Sequence, residues 1–234
     1  MKALVLAAGL GKRLRPLTDS IPKPLIDLNG VPVIDRITDR LEAEGVREFG
    51  FNLHHLPEAL RSHLSARLGD RAFFRLEESL LDTGGSIASF AGWAGGEDFL
   101  VVHNGDICSD IPVSPLVDDV AGCDASLALV RRGGASDNVR MSLKSREITD
   151  MRGLLGASPE GTALFTFAGI AVYSRRFLDM MPEGRYSVVD FITDSLRAGS
   201  VKVRGVVFEG AFWSDIGTPE SLDECRKALG KWKR

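Results

Sequence analysis

Four charged residues, far apart in the chain, have the types and settings that phosphate chemistry needs. Arg13 closes the run Leu6-Ala7-Ala8-Gly9-Leu10-Gly11-Lys12-Arg13. Two glycines after an apolar run let backbone N–H groups approach an anion, a following helix start would add partial positive charge, and a guanidinium can fork onto phosphate oxygens. Lys23 stands between Pro22 and Pro24, each of which fixes its own φ and restricts the residue before it. That makes it a rigidly held ammonium suited to an anion. Asp106 follows Asn104-Gly105 where an apolar run ends, and Asp215 sits in Phe212-Trp213-Ser214-Asp215-Ile216-Gly217-Thr218. Carboxylates at such places can hold a hard cation against phosphate oxygens.

Each feature also has a plainer reading. Gly-x-Gly after a strand suits a tight strand-to-helix turn. Lys23 suits an extended surface segment, Asp106 an Asx-turn, and Asp215 a helix N-cap. Two other phosphate loops are excluded. The dinucleotide fingerprint needs a third glycine where Leu14 stands, which disfavours an oxidoreductase. The P-loop needs Ser or Thr where Arg13 stands, and a glycine five residues before Gly11.

The elements that must position these residues read as alternating strands and helices. Ala3–Ala8 is a continuous apolar run, as in a buried strand. Val33, Ile34, Ile37 and Leu41 recur at helical spacing before Gly45. Val46–Leu53 reads as a strand. Leu60, Leu64 and Leu68 line a helix opened by Pro57 and stopped by Gly69. A short helix is expected after Gly84-Gly85. Phe99–His103, Ala125–Val130, Thr162–Tyr173 and Val201–Phe208 read as strands, and Phe177–Met181 and Val188–Leu196 as helices. Thr218-Pro219-Glu220 opens a last helix running toward Lys227–Lys231. The pattern predicts one domain, 1–234, of α/β class: a Rossmann-like, doubly wound, mixed but mainly parallel sheet.

The 234 residues carry 44% hydrophobic and 26% charged side chains and a net charge of −3, ordinary globular values with no basic field for nucleic acid. Three scattered cysteines make neither a disulfide framework nor a thiolate zinc site. The four histidines lack ligand spacing, and Cys108 has no partners for nucleophilic chemistry. The apolar amino terminus is too short for a signal peptide, and no stretch reaches the roughly 20 apolar residues of a membrane span. A cytoplasmic protein with no membrane partner is expected.

The combined pattern Leu6-Ala7-Ala8-Gly9-x-Gly11-x-Arg13-Leu14-x-Pro16-Leu17-Thr18, then Pro22-Lys23-Pro24-Leu25, then Gly30-x-Pro32-x-Ile34 resembles the nucleotidyltransferases that make nucleotide sugars from sugar 1-phosphates. The resemblance implies the nucleotide-diphospho-sugar transferase fold. It implies transfer from a nucleoside triphosphate to a sugar 1-phosphate, with Mg²⁺ on Asp106 and Asp215 and catalytic roles for Arg13 and Lys23. Leu6, Ala7, Ala8, Gly9, Gly11 and Lys12 would bind nucleotide. So would Thr83, in Leu81-Asp82-Thr83-Gly84-Gly85, where Asp82 occupies the family's glycine place. Glu77 falls where relatives contact the base edge. Its carboxylate accepts hydrogen bonds only, which suits uracil, thymine or guanine; the plainer reading is a solvated strand end. Gly84, Asn104 and Gly169 would meet the sugar phosphate, although the strand Phe165–Ile170 also reads simply as core.

Phe167 stands where the bifunctional N-acetylglucosamine enzymes carry asparagine. Thr166-Phe167-x-Gly169-Ile170 with Thr83-Gly84-Gly85 is similar to the N-acetylmuramate 1-phosphate uridylyltransferases of cell-wall recycling. Mannose and heptose 1-phosphate guanylyltransferases are the nearest alternatives. A non-catalytic nucleotide- or sugar-binding regulator is a further alternative, and the joint presence of Arg13, Lys23, Asp106 and Asp215 argues against it. Base, sugar, oligomeric state and the role of residues 133–161 stay open at this level.

Overall fold

The computed structural model describes residues 1–133, 137–153, 155 and 159–232, with side chains to residue 230. In chain order the elements are β1 (Lys2–Leu6), α1 (Val33–Ala43), β2 (Glu48–Leu53), α2 (Pro57–Leu68), β3 (Ala72–Leu76), α3 (Asp82–Ser89), β4 (Phe99–Asn104), β5 (Ile107–Ser109), α4 (Ser114–Val120), β6 (Ala125–Val130), β7 (Val139–Ser142), β8 (Ile148–Met151), β9 (Thr162–Ser174), α5 (Arg175–Met180), α6 (Val188–Arg197), β10 (Val203–Val207), β11 (Trp213–Asp215) and α7 (Pro219–Trp232). Strands alternate with helices, and the sheet is mixed and mainly parallel.

The chain divides into two compact units. One comprises Met1–Leu80, His103–Asp110 and Phe212–Arg234; the other comprises Leu81–Val102 and Ile111–Ala211. In the first, β1, β2 and β3 form a parallel ladder, with Val5 beside Phe51 and Phe51 beside Phe74. Ala3, Leu4 and Val5 are wholly buried, which explains their unbroken apolar run. The apolar stripe of α1 buries Val33, Ile34, Ile37 and Leu41, and Gly45 follows the helix at φ 95°. The α2 stripe buries Leu60, Leu64 and Leu68, each contributing about 1.5–3 kcal/mol of transfer free energy.

In the second unit β6 is buried along its length, pairing parallel with β10 and antiparallel with β9. The hairpin β7–β8 joins β9 through β7. It fills part of the 133–161 stretch, whose residues 134–136, 154 and 156–158 lie outside the described set. Tyr173 stacks on Phe177 at 4.8 Å, and Phe191 meets Phe177 edge-on at 5.4 Å. In the last helix Ser221 N–H donates to Thr218 Oγ1 at 3.2 Å, the expected cap. Of the basic run meant for its C-terminus, the Lys231 side chain lies outside the described residues.

Two expectations are corrected. No α-helix follows the glycine loop; three short 3₁₀ turns, Lys12–Leu14, Leu17–Asp19 and Lys23–Leu25, fill the chain before α1. Pro16, Pro22 and Pro24 break any longer helix there. The helix expected after Gly84-Gly85 instead begins at Asp82 and contains both glycines.

Candidate functional site

All four chemistry-bearing residues belong to the first unit, and two short strands bring the aspartates together. β5 pairs antiparallel with β11, placing Asp215 opposite Ile107 and Trp213 opposite Ser109. Ile216 N–H donates to the Asp106 carbonyl at 3.0 Å, and Asp110 N–H to that of Phe212 at 3.0 Å. The Asx-turn and helix-cap readings are therefore insufficient: Asp215 ends a strand, and Thr218 does the capping.

Lys23 is 8% exposed, and its Nζ donates to Asp106 Oδ2 at 2.6 Å. The surface-segment reading fails. The 3₁₀ turn and its prolines hold the ammonium inside the site. Burial pushes the Asp215 carboxyl pKa upward, and Asp106 adds to the push. Lys23, the Gly217 N–H and Arg13 act in the opposite sense. Arg13 is exposed, on a turn anchored by buried Leu14. A Cβ on Gly217 would stand 2.5 Å from an Arg13 terminal nitrogen and 2.7 Å from Asp215 Oδ1. Both groups thus crowd one glycine. Arg13, Lys23, Asp106 and Asp215 form one cluster of two cations and two carboxylates.

Asp215 Oδ1 is buried and has no hydrogen-bond partner. An orphaned buried carboxylate oxygen beside a second carboxylate is a hard donor set, and it fits a hard divalent cation. Among the described residues no group of three or more His, Cys, Asp or Glu could hold a metal. A cation at the two aspartates would thus complete its shell from substrate and water.

The glycine loop leaves β1 through a peptide fixed at both ends. Gly105 N–H donates to the Leu6 carbonyl at 2.8 Å, and Ala7 N–H donates to Asn52 Oδ1 at 2.6 Å. Ala7 and Ala8 are each 5% exposed. Gly11 takes φ 60°, and its carbonyl accepts from Thr18 Oγ1 at 2.9 Å, which folds the loop back on itself. Gly9 has open space where a Cβ would stand, and Lys12 is exposed. Asn104 ends β4 half-buried.

Glu77 follows β3 and is buried, so it is no solvated strand end. Asn52 Nδ2 donates to Glu77 Oε1 at 2.8 Å, and Glu77 N–H donates to the Leu53 carbonyl at 2.8 Å. The His54 ring lies 2.8 Å from the Glu77 carbonyl, and the His55 ring 2.7 Å from that of Thr18. Carbonyls only accept, so both ring nitrogens carry the proton. Ligand spacing says nothing of these roles. Asn52 and the two histidines hold the glycine loop and Glu77, and sequence reasoning did not single them out for this. The available signal was one amide inside the apolar strand Phe49–Leu53, since buried polar groups need partners.

Thr83, Gly84 and Gly169 belong to the second unit. Thr83 Oγ1 accepts from Val188 N–H at 2.9 Å, and Gly84 N–H donates to the Tyr186 carbonyl at 2.9 Å. A Cβ on Gly84 would lie 2.3 Å from the Tyr186 ring. Asp82, in the family's glycine place, adopts φ 60° and accepts from Thr83 N–H at 2.6 Å. Aspartate tolerates this left-handed backbone better than most residues. Gly169 sits at φ 74° in a bulge, where the β6–β9 register shifts between Leu127 and Leu129.

Among the described residues no helix is long and apolar enough to cross a membrane. A family profile described as Nucleotidyl transferase matches residues 2–136. The chain is 32% identical over 228 residues to a mannose-1-phosphate guanylyltransferase of Mycobacterium tuberculosis, covering 94% of this chain but 62% of that protein. It is 32% identical over 243 residues to an N-acetylmuramate alpha-1-phosphate uridylyltransferase of Neisseria meningitidis, covering 100% of both. Crystalline HddC of Yersinia pseudotuberculosis, complexed with GMP-PN, superposes with a TM-score of 0.77 at 20% identity, over 97% of this chain and 99% of that one, and shows the same fold.

Proposed function

Because the chain belongs to the nucleotidyl transferase family, and its relatives are sugar 1-phosphate nucleotidyltransferases, we propose that it joins UTP to N-acetylmuramate 1-phosphate within one domain, 1–234. The products are the nucleotide sugar, a cell-wall precursor, and pyrophosphate. One observation carries the reading. Lys23, Asp106, Asp215 and Arg13 converge, although the sequence scatters them.

A sugar 1-phosphate oxygen attacks the α-phosphorus in line, the new P–O bond forms, and the bond to the β-phosphate oxygen breaks. The attacking oxygen is already anionic, so no general base is required. Catalysis reduces to positioning and charge neutralisation. Lys23, fixed between its prolines, places an ammonium against the negative charge that builds on the α-phosphate. Arg13 and the amides of Gly9–Lys12 hold the β- and γ-phosphates and the departing pyrophosphate. The Leu6–Ala7–Ala8 backbone and Glu77 face the base, and Asn104 meets the sugar phosphate; of the second unit, Thr83 is assigned to the nucleotide and Gly169 to the sugar phosphate by the resemblance alone. Asp106 and Asp215 would hold Mg²⁺, which when bound supplies positive charge shared between the substrates' phosphates.

The choice of UTP and N-acetylmuramate 1-phosphate is supported by the full-length match to the Neisseria protein and by an acceptor-only carboxylate at Glu77. Transfer from GTP to mannose 1-phosphate is the second reading, supported by equal identity to the mycobacterial protein and by the same carboxylate. Pyrophosphate release with Mg²⁺ tests both, across UTP, GTP, dTTP, CTP and ATP against N-acetylmuramate, mannose, glucose and heptose 1-phosphates. Turnover with UTP and N-acetylmuramate 1-phosphate above every other pair is expected. Turnover only with GTP and mannose 1-phosphate replaces the first reading with the second. No turnover and no thermal stabilisation by any triphosphate removes both.

A further inference from the structure

We infer that Asn52 is a positioning residue for nucleotide recognition, coupling the Glu77 carboxylate to the peptide that opens the glycine loop; the inference rests on the nucleotidyltransferase reading.

The geometry starts from one peptide unit. Its oxygen, on Leu6, accepts from Gly105 N–H at 2.8 Å, and its N–H, on Ala7, donates to Asn52 Oδ1 at 2.6 Å. β1 and β2 pair through Val5 and Phe51. Past that point the side chain of Asn52, on β2, takes over from the backbone ladder. The Asn52 amide has only one workable orientation. A backbone N–H only donates, so Oδ1 must face Ala7, and the NH₂ is thereby turned toward Glu77, 2.8 Å away. Position 77 must therefore present an acceptor to Asn52. Asn52 is 3% exposed and Glu77 4%, so no bulk water substitutes for a lost partner, and an unmatched pair at this place costs its full desolvation.

The Glu77 backbone is pinned as well, through Leu53 and His54. The Asn52 NH₂ holds the carboxylate end at Oε1. Gly105 fixes the other end of the peptide and directly precedes Asp106. A single planar unit thus joins the base-facing carboxylate, the loop amides and the aspartate turn. Loosening Asn52 loosens the nucleotide half of this chain of contacts, while Lys23 keeps its bond to Asp106.

The test is a rescue. Asn52→Asp keeps an oxygen for Ala7 but sets carboxylate against carboxylate at Glu77. Adding Glu77→Gln restores a donor–acceptor match with the polarity reversed. Steady-state pyrophosphate release is measured with UTP and with GTP, varying nucleotide and sugar phosphate in turn, with thermal unfolding of every variant alongside. Asn52→Asp should raise the nucleotide KM about 10- to 100-fold, the loss expected for one buried hydrogen bond to a charged group. The sugar-phosphate KM and kcat should stay within about 3-fold, and the double variant should recover most of the nucleotide KM.

The inference is overturned if Asn52→Asp leaves the nucleotide KM within about 2-fold, if both substrates' KM values move together, or if Glu77→Gln rescues nothing. Should Asn52→Asp fail to fold, the double variant and Asn52→Ala carry the same comparison, with the double variant expected to bind nucleotide more tightly. If the wild type turns over no substrate pair, the kinetic comparison is replaced by binding. The same cycle, read as thermal stabilisation by UTP or GTP, then decides the role of Asn52, and a wild type that neither triphosphate stabilises overturns it.

Discussion

Replacing Lys23 by methionine removes one positive charge from the cluster and keeps most of the stem. The ammonium lies 2.6 Å from Asp106 Oδ2, with the lysine side chain 10% exposed and the aspartate 33%. At an effective dielectric constant of about 20, the gross attraction across that distance is about 6 kcal/mol. Most of it is cancelled by taking the ammonium out of water, and Asp106 is open enough to rehydrate once left alone. A net destabilisation of about 1–2 kcal/mol remains, which lowers Tm by about 2–8 °C in a chain of this size. The kinetic loss should be larger, because charge on the transferring phosphate peaks in the transition state. Removing one preorganised cation should cost about 10²- to 10³-fold in kcat. Pyrophosphate release at saturating substrates and 25 °C, with the variant shown folded by its melting curve, reads this directly. Lys23→Arg keeps the charge but carries a planar fork between two prolines, and should fall between wild type and methionine. A methionine variant keeping more than about a tenth of wild-type kcat would falsify the assignment of Lys23.

Three further outcomes are expected. Burial lowers the His103 pKa to about 4 from an unfolded value near 6.5, against the pull of the Asn104 carbonyl and Asp106 and with a small push from Arg40; the unfolded chain binds the proton first as pH falls, so a contribution of about 3 kcal/mol, complete above pH 6.5, drains away down to pH 4. Urea unfolding at pH 7, 5.5 and 4 should show His103→Leu losing less stability than wild type on acidification. Gly217→Ala drives a methyl into Arg13 and Asp215 and should cut kcat/KM at least about 10-fold with little change in Tm, since small displacements in such a site are kinetically expensive. Cys108 is buried and shares a hydrogen bond with Cys225, so Cys108→Ala should cost about 1–2 kcal/mol in chemical denaturation while leaving kcat near wild type.

Legibility in the sequence followed how local the cause of each element was. The α1 and α2 stripes and the buried runs of β1 and β6 are written at fixed spacing, and each is buried as the spacing predicts. β5 and β11 have three residues each and exist only because they find one another, so no period within either segment announces them. β3 shows no clean alternation because its side chains are mostly half-exposed or exposed. The charged residues of the site were legible from residue type and from the prolines and glycines around them. The groups that hold the glycine loop and Glu77 were not: Asn52 bonds Ala7 and Glu77, His54 the Glu77 carbonyl and His55 that of Thr18, all distant in sequence. A hydrogen bond of that kind leaves no repeat in the chain.

The β5–β11 ribbon also sets when the site can exist during synthesis. Asp106, Lys23 and the glycine loop leave the ribosome long before Trp213–Asp215. Until that strand arrives, β5 lacks its pairing partner and the second carboxylate of the cluster is missing. The β1–β2–β3 ladder, by contrast, is complete within the first 76 residues. On the proposed reading, the cluster is complete only with the late arrival of one short strand.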